Sequence, residues 1–186
     1  MTVQSKQIVA FLKELDNQLS NKTPLLLYLI GGGAVTLAYD PENRTADLDF
    51  IDPPDRIAQI GGEGSSLAQR YHIYVSALAE INFSVPSDWK KYCHPLDIQL
   101  HHLKIMIPCV EDIVLGKIAR LEPKDFEDIF GMKDKRLLEP QKLLRRLRDN
   151  KKELLNTGYR QNTKLLFQEV FQKRLSFKNG ELKISA

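Results

Sequence analysis

The feature that most constrains this chain is a run of six residues, Leu25-Leu26-Leu27-Tyr28-Leu29-Ile30, that passes directly into three glycines, Gly31-Gly32-Gly33. A continuous apolar run this short, bounded by a turn at residues 21–24 and by glycine, reads as a strand covered on both faces. A half-exposed strand would alternate apolar and polar residues. Glycine allows backbone to approach a ligand closely. The short helix expected over Ala34–Tyr39 offers free N–H groups and its positive end just after the bend.

A second strand is expected from Thr45 to Ile51. Its period of two sends Ala46, Leu48 and Phe50 to one face and Asp47 and Asp49 to the other. Two carboxylates about 7 Å apart along a strand are hard oxygen donors that suit a pair of divalent cations. Each feature alone has an ordinary reading: a tight strand-to-helix bend for the glycines, an exposed strand edge for the acids. There is no P-loop pattern, and the glycines lack the dinucleotide-binding spacing.

Elsewhere Ile8, Phe11, Leu12, Leu15 and Leu19 follow helical spacing and predict a helix from Gln4 to Leu19. Short helices are expected at Asp55–Ile60 and from Ser66 to Tyr71. A third strand is expected within Tyr74–Val85, placed at Ile81–Val85, and further strands at Leu96–Leu100 and Leu103–Ile107. Helices follow at Glu111–Leu121 and around Phe126 and Ile129. The chain then reads as almost continuous helix from Leu137 to Phe177, with a frayed tail from Lys178 to Ala186. This order predicts an α+β fold with a small mixed sheet, flanked by helices and followed by a C-terminal helical region.

At 186 residues the chain is long enough for one domain with a helical appendage. Charge divides it. Residues 1–130 hold 12 Lys and Arg against 18 Asp and Glu, a net −6, whereas residues 131–186 hold 15 against 6, a net +9. That predicts a core over 1–130 and a basic helical region over 131–186. The basic region is read either as a contact for a polyanion such as RNA or as solvated helix faces docking on the acidic body. No apolar stretch reaches membrane-spanning length, and the first residues read as an amphipathic helix and not a leader. Cys93 and Cys109 lack a metal-binding or paired spacing, so a reduced, cytoplasmic chain with no membrane contact is expected.

Taken together, Ile30-Gly31-Gly32 and Arg44-Thr45-Ala46-Asp47-Leu48-Asp49-Phe50, with fourteen residues between Gly32 and Asp47, resemble the nucleotidyltransferase superfamily of the polymerase-beta type. The Arg-Thr-x-Asp-x-Asp form is similar to the bacterial toxin-type and abortive-infection members. So is the downstream pattern of Glu111-Asp112, Lys117 and Lys124-Asp125-Phe126-Glu127-Asp128. The resemblance covers roughly residues 24–130. It implies that Asp47 and Asp49 hold Mg²⁺ or Mn²⁺ and that Gly31, Gly32 and Gly33 face the triphosphate of an NTP. Arg44, Thr45, Lys117 and Asp125 would contribute to nucleotide binding. Gly33 stands where many relatives carry Ser or Thr. For the third carboxylate, Glu80 is the leading candidate, Asp97 is another, and the slot is empty if Asn82 occupies it. The implied activity is metal-dependent transfer of a nucleoside monophosphate to an RNA, a protein or a small molecule, in a setting such as a toxin–antitoxin pair with a cognate partner protein. The alternative is a catalytically degenerate domain that binds nucleotide, RNA or a partner protein.

Overall fold

The computed structural model describes residues 5–178 and 181–185. By packing, the chain forms two compact units, Met1–Phe83 with Tyr92–Cys109, and Ser84–Lys91 with Val110–Ala186. This division by contacts falls at 109/110, upstream of the change in charge near residue 131; the two boundaries describe different properties.

The first unit is built on a five-stranded mixed sheet of order β3-β2-β1-β5-β4. The strands are β1 (Leu25–Ile30), β2 (Asp47–Ile51), β3 (Tyr74–Leu78), β4 (His94–Pro95) and β5 (Leu103–Ile107). The apolar run of β1 is explained by its central place, antiparallel to β2 and parallel to β5. Helix α1 (Ser5–Asn17) buries Ile8, Phe11, Leu12 and Leu15, the stripe legible in the sequence; Gln4 lies outside the described residues. Helix α2 (Gly31–Ala34) runs on into a π-helical turn, Val35–Tyr39. Helices α3 (Asp55–Gly61) and α4 (Ser66–Tyr71) precede β3. In β2, Leu48 and Phe50 are fully buried. Each contributes about 1.5–3 kcal/mol of transfer free energy, enough to lock the face on which Asp47 and Asp49 stand.

Two strand expectations are corrected. The third strand is Tyr74–Leu78 and not Ile81–Val85. It begins after the left-handed cap at His72 (φ 54°), and the Tyr74 N–H donates to Ala46 O at 2.9 Å, so it pairs parallel with β2. It ends where the Asp52 carboxylate accepts from the Glu80 N–H at 3.3 Å. The chain there turns into a 3₁₀ segment, Glu80–Asn82, and leaves Ile81 81% exposed. The strand expected at Leu96–Leu100 is reduced to the edge pair His94–Pro95 and one further bond, Leu96 N–H to Ile105 O at 2.9 Å. The tight turn closed by Ile98 N–H to Leu96 O then diverts the chain.

The second unit holds α5 (Val110–Ile118), α6 (Pro123–Asp134), α7 (Pro140–Asp149) and α8 (Thr157–Phe171). The near-continuous helix expected here is interrupted. Asn156 caps α8 by accepting from the Tyr159 N–H, and Gln172 ends it in the left-handed region (φ 55°). The chain then forms a hairpin of β6 (Arg174–Lys178) and β7 (Glu181–Ser185), so the described residues of the tail are paired strand. The unit's core contains a buried ion pair. Arg146 on α7 is bidentate to Asp112 on α5 at 2.7 and 2.9 Å and donates to Asp88 at 2.8 Å.

Removing one partner of a buried pair leaves an uncompensated charge. Arg146→Met is therefore expected to lower unfolding free energy by about 3–5 kcal/mol in urea melts. A loss below about 1 kcal/mol, the range of exposed pairs, would contradict the buried assignment.

Candidate nucleotide and metal site

The site begins where β1 ends. Ile30 pairs with Asp49 across the antiparallel β1–β2 ladder, so the glycine bend arises directly beside the acid-bearing strand. Gly31 adopts φ +64°, and a Cβ built on it would stand 2.5 Å from Asp49 Oδ2. Only glycine takes both that backbone conformation and that proximity without strain. A Cβ on Gly32 would meet Thr45 Oγ1 at 3.0 Å, and Thr45 Oγ1 donates to Asp47 Oδ1 at 2.5 Å. Asp47 and Asp49 are both half-buried. The bend, the threonine and the two acids therefore share one face.

Two residues that sequence reasoning did not single out hold the bend. Thr36 Oγ1 donates to Gly32 O at 2.9 Å, and Asn43 Nδ2 donates to Gly32 O at 3.4 Å and to Thr36 Oγ1 at 3.3 Å. Thr36 and Asn43 are buried. In sequence they are ordinary helix and turn residues. Their role depends on the π-helical turn, whose closing bond, Asp40 N–H to Val35 O at 2.7 Å, gives no one-dimensional signal. The first-turn N–H groups of the Gly31–Gly33 segment have no intrahelical acceptor and are suited to bind anionic oxygens.

On the other side of β2, β3 places Tyr74 opposite Asp47 and Ser76 opposite Asp49. No residue of β3 is a carboxylate. Burial, then the charges of Asp47, Glu63 and Asp49, push the Tyr74 phenol above its ordinary value. Tyr74 thus senses the acid pair and also Glu63, in the loop that bridges to β3 through Gly62 and Val75.

The remaining expected residues are placed as follows. The free side of Gly33 faces the core, where a Cβ would meet Leu48 Cδ2 at 2.9 Å and Leu29 Cδ1 at 3.2 Å. A hydroxyl at 33 would point away from the acids and into the core. Arg44 is exposed beside Thr45. Glu80 lies in the 3₁₀ turn just past β3. Asp97 follows β4, at the sheet edge separated from β2 by β1 and β5. In the second unit Lys117 is buried and donates to Asp125 at 3.0 Å and Asp128 at 2.6 Å. Arg120 adds two bonds to Asp125, at 2.9 and 3.0 Å.

Among the described residues no three His, Cys, Asp or Glu side chains gather closely enough to hold a metal. The donors on β2 are two carboxylates. That set fits Mg²⁺, which keeps waters and is held by one or two carboxylates together with substrate phosphates.

The mixed sheet, the glycine bend and the helical second unit together form an α+β fold of nucleotidyltransferase type. An antigenic nucleotidyltransferase-like protein from Paracoccidioides brasiliensis has the same fold, with a TM-score of 0.51 and 14% identity over 92% of each chain. Residues 6–176 match the family described as a nucleotidyltransferase of unknown function (DUF6036), and the chain belongs to that family. No curated protein matches it. Among the described residues no helix is long and apolar enough to cross a membrane.

Two outcomes are expected. Gly31→Ala forces a Cβ onto Asp49 and strains a left-handed backbone. It should cost about 1–2 kcal/mol of stability and weaken Mn²⁺ binding measured by electron paramagnetic resonance; unchanged Mn²⁺ affinity would show that the bend does not position Asp49. The second concerns Asp125. Burial opposes its ionisation, but Arg120, Lys117 and the Glu122 N–H prevail and hold it below the usual carboxylate range. A depressed folded value stabilises the fold above the unfolded pKa, about 3.9, and that stability is lost as pH falls through the lower folded value. Thermal melts from pH 6 to pH 3 should show falling stability. Asp125→Asn should show less of that fall, and an equal fall in both proteins would contradict the assignment.

Proposed function

We propose that this protein is a metal-dependent nucleotidyltransferase that moves a nucleoside monophosphate from an NTP to an acceptor hydroxyl. The observation that carries this reading is the packing of Gly31 against the Asp49 carboxylate while Asp47, held by Thr45, stands on the same face of β2. Asp47 and Asp49 are the proposed holders of Mg²⁺ or Mn²⁺. When bound, the ion neutralises charge on the attacking and leaving oxygens. The N–H groups of Gly31, Gly32 and Gly33 orient the triphosphate, and Arg44 donates to its oxygens; a nucleotide-binding role for Thr45 is proposed on the resemblance, through Asp47, to which its hydroxyl donates. The acceptor oxygen bonds to the α-phosphorus as the bond to pyrophosphate breaks, and the hydroxyl proton is released to a base. Glu80 is proposed as that base on the resemblance alone; it lies past Leu78 beside Asp52, at the end of β2 away from Asp47. For Lys117 and Asp125 a nucleotide-binding role is proposed on the resemblance alone; within their own unit they form an ion-paired set.

A second reading has a specific observation behind it. The strand next to β2 presents Tyr74 and Ser76 where a third carboxylate would be sought. A domain with that arrangement binds nucleotide, RNA or a partner protein without transfer. The basic region is the proposed RNA contact. A toxin–antitoxin pair with a cognate partner protein is the proposed cellular setting.

The purified protein, Mn²⁺ or Mg²⁺ and α-³²P-labelled NTPs, incubated with total RNA and a cell lysate, separate the two readings. Transfer of label that Asp47→Asn and Asp49→Asn each reduce at least 100-fold, on the scale of losing one transition-state charge contact, is expected. Metal-dependent NTP binding with no label transferred to any acceptor would establish the second reading.

A further inference from the structure

The cations of the second unit differ in their partners. Lys117, Arg120, Lys124 and Arg146 are each neutralised by Asp or Glu within its own unit. Arg148, Arg160, Lys164 and Arg174 have no carboxylate partner among the described residues, and they gather around the β6–β7 hairpin. Arg148 donates to Leu182 O at 2.8 Å, which sets it against β7. Arg160 and Lys164, one turn apart on α8, stand 6.0 and 5.4 Å from the centre of the Phe177 ring on β6. Arg174 is exposed on the same strand.

The hairpin has two chemically different sides. Leu175 and Leu182 are buried and by the period of two share their side with Phe177, while Arg174, Ser176 and Lys183 take the opposite face. The aromatic ring steadies the two α8 cations, so part of the entropy of ordering them is already lost before a ligand arrives. Uncompensated cations beside a half-buried aromatic ring are the elements with which proteins track single-stranded nucleic acid. An anionic membrane would instead be met by an exposed apolar side, and the apolar side of this hairpin is turned inward.

We propose that α8 from Arg160 to Lys164, on the Phe177 side of the hairpin, together with Arg148 against β7, binds the sugar-phosphate backbone of a single-stranded polynucleotide. This rests on the reading of the basic region as the polyanion contact, and it is independent of whether transfer occurs. It gives the acceptor, or the regulator of the transfer reaction, a chemical class. Binding is electrostatic and falls with salt as counterions are released.

The test is fluorescence anisotropy of the full chain with a labelled mixed-sequence 20-nucleotide single-stranded RNA across a KCl series. Arg160→Gln with Lys164→Gln should weaken binding roughly tenfold at moderate salt and reduce the log–log salt slope by about 1.4, about 0.7 for each lost contact. Arg56→Gln with Arg70→Gln removes the same charge from the first unit and should leave binding unchanged. Circular dichroism melts confirm folding of each variant, and Lys164→Arg in the Arg160 background should retain most affinity. Asp47→Asn with Asp49→Asn should abolish transfer and leave RNA binding intact, so failure of the chemistry and failure of this inference are separable. The proposal is overturned if the wild type does not bind RNA at low salt or if the first-unit control weakens binding equally. Vesicles containing phosphatidylserine, bound with the same dependence on Arg160 and Lys164 while RNA is not, would overturn it in favour of a membrane.

Discussion

The close approach of backbone to carboxylate at Gly31 and Asp49 is the constraint on which the rest of the first unit depends. A side chain at Gly31 would occupy the space of Asp49 Oδ2, so the bend exists only as glycine. Because Ile30 and Asp49 are partners in the ladder, the bend cannot move along β2 without breaking the register that buries Leu48 and Phe50. One antiparallel pair of strands thus joins core packing to site geometry. The hydrogen bonds around the acids follow from the same bend. Thr36 and Asn43 satisfy the Gly32 carbonyl, while Thr45 holds Asp47. Disturbing Thr36, Asn43 or Thr45, all of them buried, would leave an unmatched donor or acceptor and shift the carboxylates.

The second unit obeys different physics. Its helices are held by charges that are buried and matched, Arg146 with Asp112 and Lys117 with Asp125 and Asp128. Such pairs contribute less to stability than their number suggests, because desolvation offsets their attraction. They do penalise alternative packings strongly, since any rearrangement exposes an unpaired charge to the core. The excess of positive charge in residues 131–186 lies outside this matched set. Composition alone could not separate neutralised from unneutralised cations; the partners around Arg146 and around Arg160 do.

The parts of the fold legible in the sequence are those set by local periodicity. The apolar run of β1, the alternation of β2 and the stripe of α1 each match a single period. The acid pair was legible for the same reason. Ile81-Asn82-Phe83-Ser84-Val85 alternates better than Tyr74–Leu78 and so predicts a later strand, whereas pairing with β2, a long-range contact, sets β3 at Tyr74–Leu78. The Leu96–Leu100 segment alternates as well, and a turn at Ile98 removes it from the sheet. The closing hairpin did carry a signal, Asn179-Gly180 between alternating runs, which the preceding helical pattern obscured. The buried roles of Thr36 and Asn43 had no signal at all.

In the proposed function the bend at Gly31-Gly32 and the acids of β2 jointly seat a divalent cation and a triphosphate. Anomalous diffraction from crystals grown with Mn²⁺ and a non-hydrolysable NTP tests it most directly. The expected result is a Mn²⁺ peak at coordination distance, about 2.1 Å for an ion of this kind, from oxygens of both Asp47 and Asp49, with phosphate oxygens over the glycine N–H groups. A peak elsewhere, or nucleotide bound away from the bend, would contradict it.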